Sequence, residues 1–196
     1  MEEQILRVGF AFTGSYCTAA KAMEALERVK EQFGDVTPIV SEHFAATDTR
    51  FGAAHDFMRE MERICDKRVI GTIPAAEPIG PKKLLDVLVI APCTGNTLAK
   101  LALGMSDGAV TMAAKAMLRN GRPVVVAVST NDGLAASAGN IARLLDKKNV
   151  YFVPFGQDDP AGKPTSLVAD MKKIPESIDM ALRGQQLQPV LIPYRK

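Results

Sequence analysis

The sequence predicts a doubly wound α/β fold: one parallel sheet of about five or six strands with helices on both faces. Three observations carry this. Runs such as Asp86-Val87-Leu88-Val89-Ile90-Ala91 and Pro123-Val124-Val125-Val126-Ala127-Val128 are apolar at successive positions. A strand wet on one face would alternate, so these strands are buried on both. Segments with helical spacing separate the runs, and each run meets Pro, Gly, Ser or Thr, residues that end strands and open turns.

The first strand covers residues 5–12 and ends at Thr13-Gly14-Ser15. Ala20, Met23, Ala25, Leu26 and Val29 then recur at helical spacing, predicting a helix over 17–33 that Gly34 stops. Residues 36–40 form a second strand, ending at Ser41-Glu42-His43. Phe57, Met61, Ile64 and Cys65 share one face, so 51–65 reads as a helix. Pro74, Pro78 and Pro81 make 67–83 a loop, or a short edge strand at Val69-Ile70. The 86–91 strand is stopped by Pro92, and helices follow over 97–103 and 107–119. The 123–128 strand, a helix over 134–145 and a strand over 150–153 come next. A last helix is expected over 166–182, kinked at Pro175, and the apolar tail over 185–196 reads as packing or interface. No repeat or composition shift divides the chain, so one domain is expected over 1–196.

Composition excludes several classes. The 24 Lys+Arg and 22 Asp+Glu give a net charge of +2, so no basic surplus points to nucleic acid. No apolar run approaches the roughly 18 residues of a membrane span. Met1-Glu2-Glu3 lacks the basic start of a signal peptide. Cys17, Cys65 and Cys93 are an odd set without CxxC spacing, and only His43 and His55 accompany them. Neither a disulfide framework nor a metal centre is expected, which suits a reducing cytoplasm.

Ligands of such sheets bind beyond the carboxyl ends of the strands. Thr13-Gly14-Ser15 has the small residues that let backbone N–H groups meet a phosphate at a helix N-terminus. It is equally an ordinary capped turn. Residues 9–14 spell a degraded G-x-G-x-x-G with Ala11 in the middle, and Glu42 is the candidate ribose acid. In Pro92-Cys93-Thr94-Gly95-Asn96-Thr97, Asn96 offers donor and acceptor to a heterocycle edge or ribityl chain. Thr94 and Thr97 suit a phosphate or a helix cap. Cys93 is a nucleophile or an inert buried thiol, and no neighbour in sequence is an activating base. In Ser129-Thr130-Asn131-Asp132-Gly133, Asn131 can bind a substrate carboxylate or simply belong to a turn. His43 and His55 read as surface or packing residues, and Met105, Met112 and Met117 as packing.

Ala91-Pro92-Cys93-Thr94-Gly95-Asn96-Thr97 resembles the P-x-S-A-N-T segment of homo-oligomeric flavin-containing cysteine decarboxylase proteins. Residues 104–111 resemble that family's G-x-x-D-N-L-L-T stretch. Asn131 matches the last residue of its P-x-M-N, where Val128 and Thr130 replace Pro and Met. The resemblance spans residues 5 to about 155. It implies a flavodoxin-like three-layer fold and FMN as cofactor. The cofactor residues it implies are Thr13, Gly14, Ser15, Ser41, Pro92, Cys93, Thr94, Asn96, Thr97 and Ser129, with Asn131 on the substrate. The decarboxylases carry a His eight residues before the third-strand Asp; Pro78 stands there, so cysteine decarboxylation is not expected. Pro92-Cys93 also resembles the related flavin prenyltransferases.

The length, Val126-Ala-Val-Ser-Thr-Asn-Asp132, and Phe152 to Pro160 followed by Lys163-Pro164 resemble one branch, the B subunits of a two-component synthase of endospore formation. That resemblance implies oxidation of a dihydropyridine dicarboxylate to its aromatic form. It also implies a dehydrogenase-like A subunit as partner, with NADP possible there, a trimer-based homo-oligomer and a mother-cell cytoplasmic location. A scaffold role with a vestigial flavin site is the alternative.

Overall fold

The computed structural model describes residues 5–193, so the N-terminal Met1-Glu2-Glu3 reading and Tyr194 of the tail lie outside it. The chain begins β1 (Arg7–Phe12), α1 (Ala19–Phe33), β2 (Asp35–Val40), α2 (Glu42–Ala46), α3 (Ala54–Cys65) and α4 (Ile73–Ala76). It continues β3 (Val87–Cys93), α5 (Gly95–Leu103), α6 (Ala109–Arg119), β4 (Val124–Thr130) and α7 (Ala138–Leu145). It ends β5 (Val150–Phe152), β6 (Phe155–Gly156), β7 (Leu167–Ala169) and α8 (Ile174–Leu182).

Five strands pair in parallel in the order β2-β1-β3-β4-β5. β4 is long enough to serve two neighbours on one edge. Val124–Val126 pair with β5, while Ser129 and Thr130 pair antiparallel with β7, which pairs in turn with β6. Among the described residues the sheet therefore has seven strands, five of them the parallel strands that the sequence predicts. α1 packs with α8 against β1, β3 and β4, and α5 packs with α6 and α7 across the sheet from them. Every residue of β3 is buried, as its unbroken aliphatic pattern predicts.

Three expectations are corrected. Pro92 does not stop β3: the strand runs on to Cys93, with a cis Ala91–Pro92 bond and a register shift against β4 between Ile90 and Cys93. Residues 166–182 are not one helix. Leu167–Ala169 form β7, a single turn covers Met171–Lys173, and α8 starts at Ile174. Pro175 lies in the first turn of α8, where its missing N–H costs nothing, so it opens the helix without a kink. The 134–145 helix begins only at Ala138, because residues 131–137 are spent on turns.

Asp86 sits at the amino end of the sheet. Its carboxylate accepts from the Arg7 backbone N–H at 3.0 Å and from Arg7 Nε and Nη2 at 2.9 and 2.8 Å. Arg122, just before β4, pairs with the same carboxylate. One side chain thus ties β1, β3 and β4 together at the end opposite their carboxyl termini. Those hydrogen bonds from Arg7, with the charges of Arg7 and Arg122, pull the Asp86 carboxyl from its ordinary 3.8 to about 2.

Phe10, Phe12, Phe44 and Phe57 form a chain of rings with centroids 5.2 to 5.7 Å apart. Tyr16 stacks on Phe44 at 5.4 Å, which fixes the loop after β1 over the core. In the tail, the Gln186 side chain bonds both the N–H and the C=O of Phe152, and Ile192 N–H donates to Phe155 O.

Candidate functional site

β1 and β3 are neighbours, yet the chain leaves them toward opposite faces, so their carboxyl ends open a crevice. Thr13 closes its floor. It is buried, its Oγ1 donates to Pro92 O at 2.7 Å, and it accepts from Thr94 N–H at 3.1 Å. This one hydroxyl clips the end of β1 to the turn after β3. Two cavities flank the clip, of about 400 and 650 Å³, and Gly14 and Thr94 belong to both.

The smaller cavity is lined by Thr13, Ser41, Asn96 and Thr97, with His43 at its rim. Ser41 Oγ caps α2 by accepting from Phe44 N–H at 3.2 Å. Thr94 Oγ1 caps α5 by accepting from Thr97 N–H at 3.2 Å, and the two threonine hydroxyls lie 3.0 Å apart. Glu42 does not await a ribose: its carboxylate accepts from Ala109 N–H at 2.8 Å, at the N-terminus of α6. A Cβ on Gly108 would stand 2.5 Å from Glu42 Oε2, so a side chain there would push the carboxylate off the helix end. Lys100 Nζ pairs with Asp107 at 2.8 Å and holds that carboxyl below its ordinary range.

The larger cavity has a floor of hydroxyls. Ser15 Oγ lies 2.8 Å from Ser129 Oγ, Thr18 Oγ1 lies 3.0 Å from Ser129 Oγ, and Thr18 Oγ1 lies 3.1 Å from Ser15 Oγ. Ser15 does not cap the turn that follows it; its hydroxyl is committed to this triangle. Each hydroxyl has a single proton, so one that turns toward an anion gives up the bond it donates within the triangle and keeps the one it accepts. Asn131 lines the same cavity, with its backbone carbonyl held by Thr165 Oγ1 at 2.7 Å.

Of the residues expected on the cofactor, Thr13, Gly14, Ser15, Ser41, Thr94, Asn96, Thr97 and Ser129 line one cavity or the other. Pro92 and Cys93 line neither. Pro92 contributes its carbonyl to Thr13, and Cys93 is wholly buried in β3. Burial pushes the Cys93 thiol far above its ordinary range, so of its two readings the inert buried thiol is the one that fits. Gly9 takes no part either. A Cβ there would stand 2.6 Å from Leu85 Cδ1, so Gly9 serves sheet packing and the G-x-G-x-x-G likeness is coincidental. His55 pairs with Asp56 on the surface. Met117 is in the core, whereas Met105 is 43% exposed.

Sequence reasoning missed Arg50, Phe51 and Lys163, which line the larger cavity. All three come from loops after α2 or between β6 and β7, not from strand ends. The Arg50 segment carries no motif, and the resemblance quoted above for Lys163-Pro164 gives it no place in the site.

A doubly wound sheet of order 2-1-3-4-5, with a hydroxyl-rich crevice at its switch point, defines a protein of flavodoxin-like fold. The chain belongs to the Flavoprotein family, whose model matches residues 1–179. It is 46% identical to the dipicolinate synthase B subunit of Bacillus subtilis over 186 residues, 95% of this chain and 93% of that one. The crystal structure of the dipicolinate synthase B subunit from Bacillus halodurans superposes with a TM-score of 0.88 at 49% identity, covering 97% of each chain. The FMN-dependent cysteine decarboxylase SpaF shares the fold, with a TM-score of 0.65 at 20% identity over 91% of this chain and 95% of that one.

Proposed function

We propose that the chain serves as the B subunit of a dipicolinate synthase. It binds FMN and, with an A-subunit partner, oxidises dihydrodipicolinate to dipicolinate during endospore formation. The observation that carries this reading is the 46% identity extending over nearly the whole of both chains. Its 196 residues act as one unit, assembled as a trimer-based homo-oligomer in the mother-cell cytoplasm.

The residues present fit a flavin mononucleotide. Ser15, Thr18 and Ser129 offer hydroxyl donors to a phosphate beside the small residue Gly14. Asn96, in the adjoining cavity, offers amide donor and acceptor to the ring edge or ribityl chain. The two cavities meet at Gly14 and Thr94, which suits one elongated ligand crossing the clip. When bound, FMN supplies a two-electron acceptor.

The reaction removes a hydride and a proton from the dihydropyridine, and the aromatic product provides the driving force. The chain's residues therefore have mainly to orient the substrate and exclude water. Asn131, at the mouth of the larger cavity, holds a carboxylate. Such chemistry tolerates a site whose lining carboxylates are already engaged, Glu42 by Ala109 N–H, Asp107 by Lys100 and Asp158 by Lys163, and a buried, protonated Cys93 is consistent with it.

One observation favours a second reading. By the resemblance described above, Pro78, in the turn Glu77–Ile79, stands about where the decarboxylases carry histidine. A chain without that group could organise the A subunit, with the hydride passing to NADP there. Reconstitution decides between the two. Dipicolinate formation is followed spectrophotometrically with each component alone and with both. The proposal expects activity only with both components, rising with added FMN. Full activity from the A subunit alone would overturn it.

A further inference from the structure

Two basic side chains reach the larger cavity from opposite loops, and the flavin reading gives them no role. Arg50 comes from the segment between α2 and α3, and Lys163 from the loop between β6 and β7. Both loops are braced. Thr49 and Gly52 exchange backbone hydrogen bonds at 3.0 and 3.1 Å around Arg50. Asp159 O accepts from Lys163 N–H at 2.7 Å, and Thr165 Oγ1 ties the second loop to Asn131 O. Beside Arg50 lies Phe51, 46% exposed and lining the same cavity. The Arg50 guanidinium carbon stands 4.9 Å from the centroid of that ring. Among the described residues Arg50 has no carboxylate partner, and Lys163 has only Asp158 at 3.5 Å.

A pair of cations beside an exposed aromatic face is the complement of a flat, aromatic dianion. A guanidinium meets a carboxylate through two parallel N–H donors, whereas an ammonium acts as a point charge. A cavity of about 650 Å³ has room for such a molecule next to a phosphate held on the hydroxyl floor.

We propose that Arg50 and Lys163 receive the two carboxylates of a planar aromatic dicarboxylate whose ring lies against Phe51, an inference that rests on the substrate class proposed above. Arg50 supplies the bidentate anchor. Lys163, shared with Asp158, contributes less. Ser15, Thr18 and Ser129 line the same cavity as this clamp, but their hydroxyls bond one another and not Arg50 or Lys163.

The probe is sodium pyridine-2,6-dicarboxylate, titrated by calorimetry into the chain with and without FMN. FMN affinity is measured separately by flavin fluorescence. Arg50→Ala should weaken the dicarboxylate by about tenfold or more and Lys163→Ala by about threefold. Arg50→Lys should fall between wild type and Arg50→Ala. FMN affinity should hold within about twofold in all three. Lys82→Ala, which removes an equal charge from an exposed position outside both cavities, should change neither. Pyridine-2-carboxylate should bind wild type more weakly than the dicarboxylate and be insensitive to loss of one of the two cations. Unchanged dicarboxylate affinity in Arg50→Ala and Lys163→Ala would overturn the proposal. So would a loss of FMN affinity in its place, which assigns the cations to the phosphate, or no wild-type binding up to about 5 mM. Failure of FMN to bind would strike the flavin reading alone, because the dicarboxylate titration without FMN still tests the clamp.

Discussion

Replacing Asp86 with Asn should lower stability by about 1–2 kcal/mol at neutral pH while leaving ligand affinity intact. The carboxyl is pulled from 3.8 to about 2 by its hydrogen bonds to Arg7, opposed by burial and aided by Arg122. That depression is worth about 2.4 kcal/mol at roughly 1.36 kcal/mol per pH unit. The side chains of Arg7 and Arg122 are 36% and 25% exposed, so solvent screening brings the figure down. A carboxyl depressed in the folded state stabilises above its unfolded value, and the benefit fades as pH falls through its folded value. The gap between wild type and Asp86→Asn should therefore be constant above about pH 5 and shrink by about half near pH 3. Urea denaturation across that range is the measurement, because guanidinium would screen the pair. Equal stability at pH 7, or a gap that persists undiminished near pH 3, would refute the argument. Asp86 lies at the amino end of the strands, so FMN affinity should move by less than about twofold.

Gly108→Ala should cost about 1 kcal/mol by displacing Glu42 from the N-terminus of α6, and combined with Glu42→Ala it should add little, because both break one contact; a double-mutant cycle in thermal melts reads this. Iodoacetamide followed by mass spectrometry should label exposed Cys17 in the native protein and spare Cys65 and Cys93, whose thiols burial raises, Cys65 to about 11. Prompt labelling of Cys93 without unfolding would contradict its placement in β3.

The layers of this fold are legible in the sequence because burial on both faces leaves a strong mark. Val124 to Val128 and Val87 to Ala91 have no polar residue, and only a covered parallel strand needs that. β6 and β7 are not legible. Two and three residues are too few to show a period, and Leu167-Val168-Ala169 fits either a strand or a helix. Pro92 misleads for a related reason: a proline ends a regular strand, yet this one sits at a register shift where no ladder hydrogen bond is required of it.

The site divides in the same way. Ser15, Asn96 and Asn131 can be picked out because strand ends are fixed in sequence by the strands before them. That Thr13 would join two strand ends, or that Ser15 would face Ser129 across 114 residues, depends on strand order. Arg50 and Lys163 stand on loops, where no strand or helix period places a side chain.

Titration of the purified chain with FMN shows whether the crevice at the ends of β1, β3 and β4 holds a flavin mononucleotide. Saturable quenching or a shift of the flavin band is expected at micromolar concentrations. Binding should be about tenfold weaker in Ser15→Ala, with the fold unchanged by circular dichroism. No flavin signal up to about 100 μM, or equal affinity in wild type and Ser15→Ala, would contradict it.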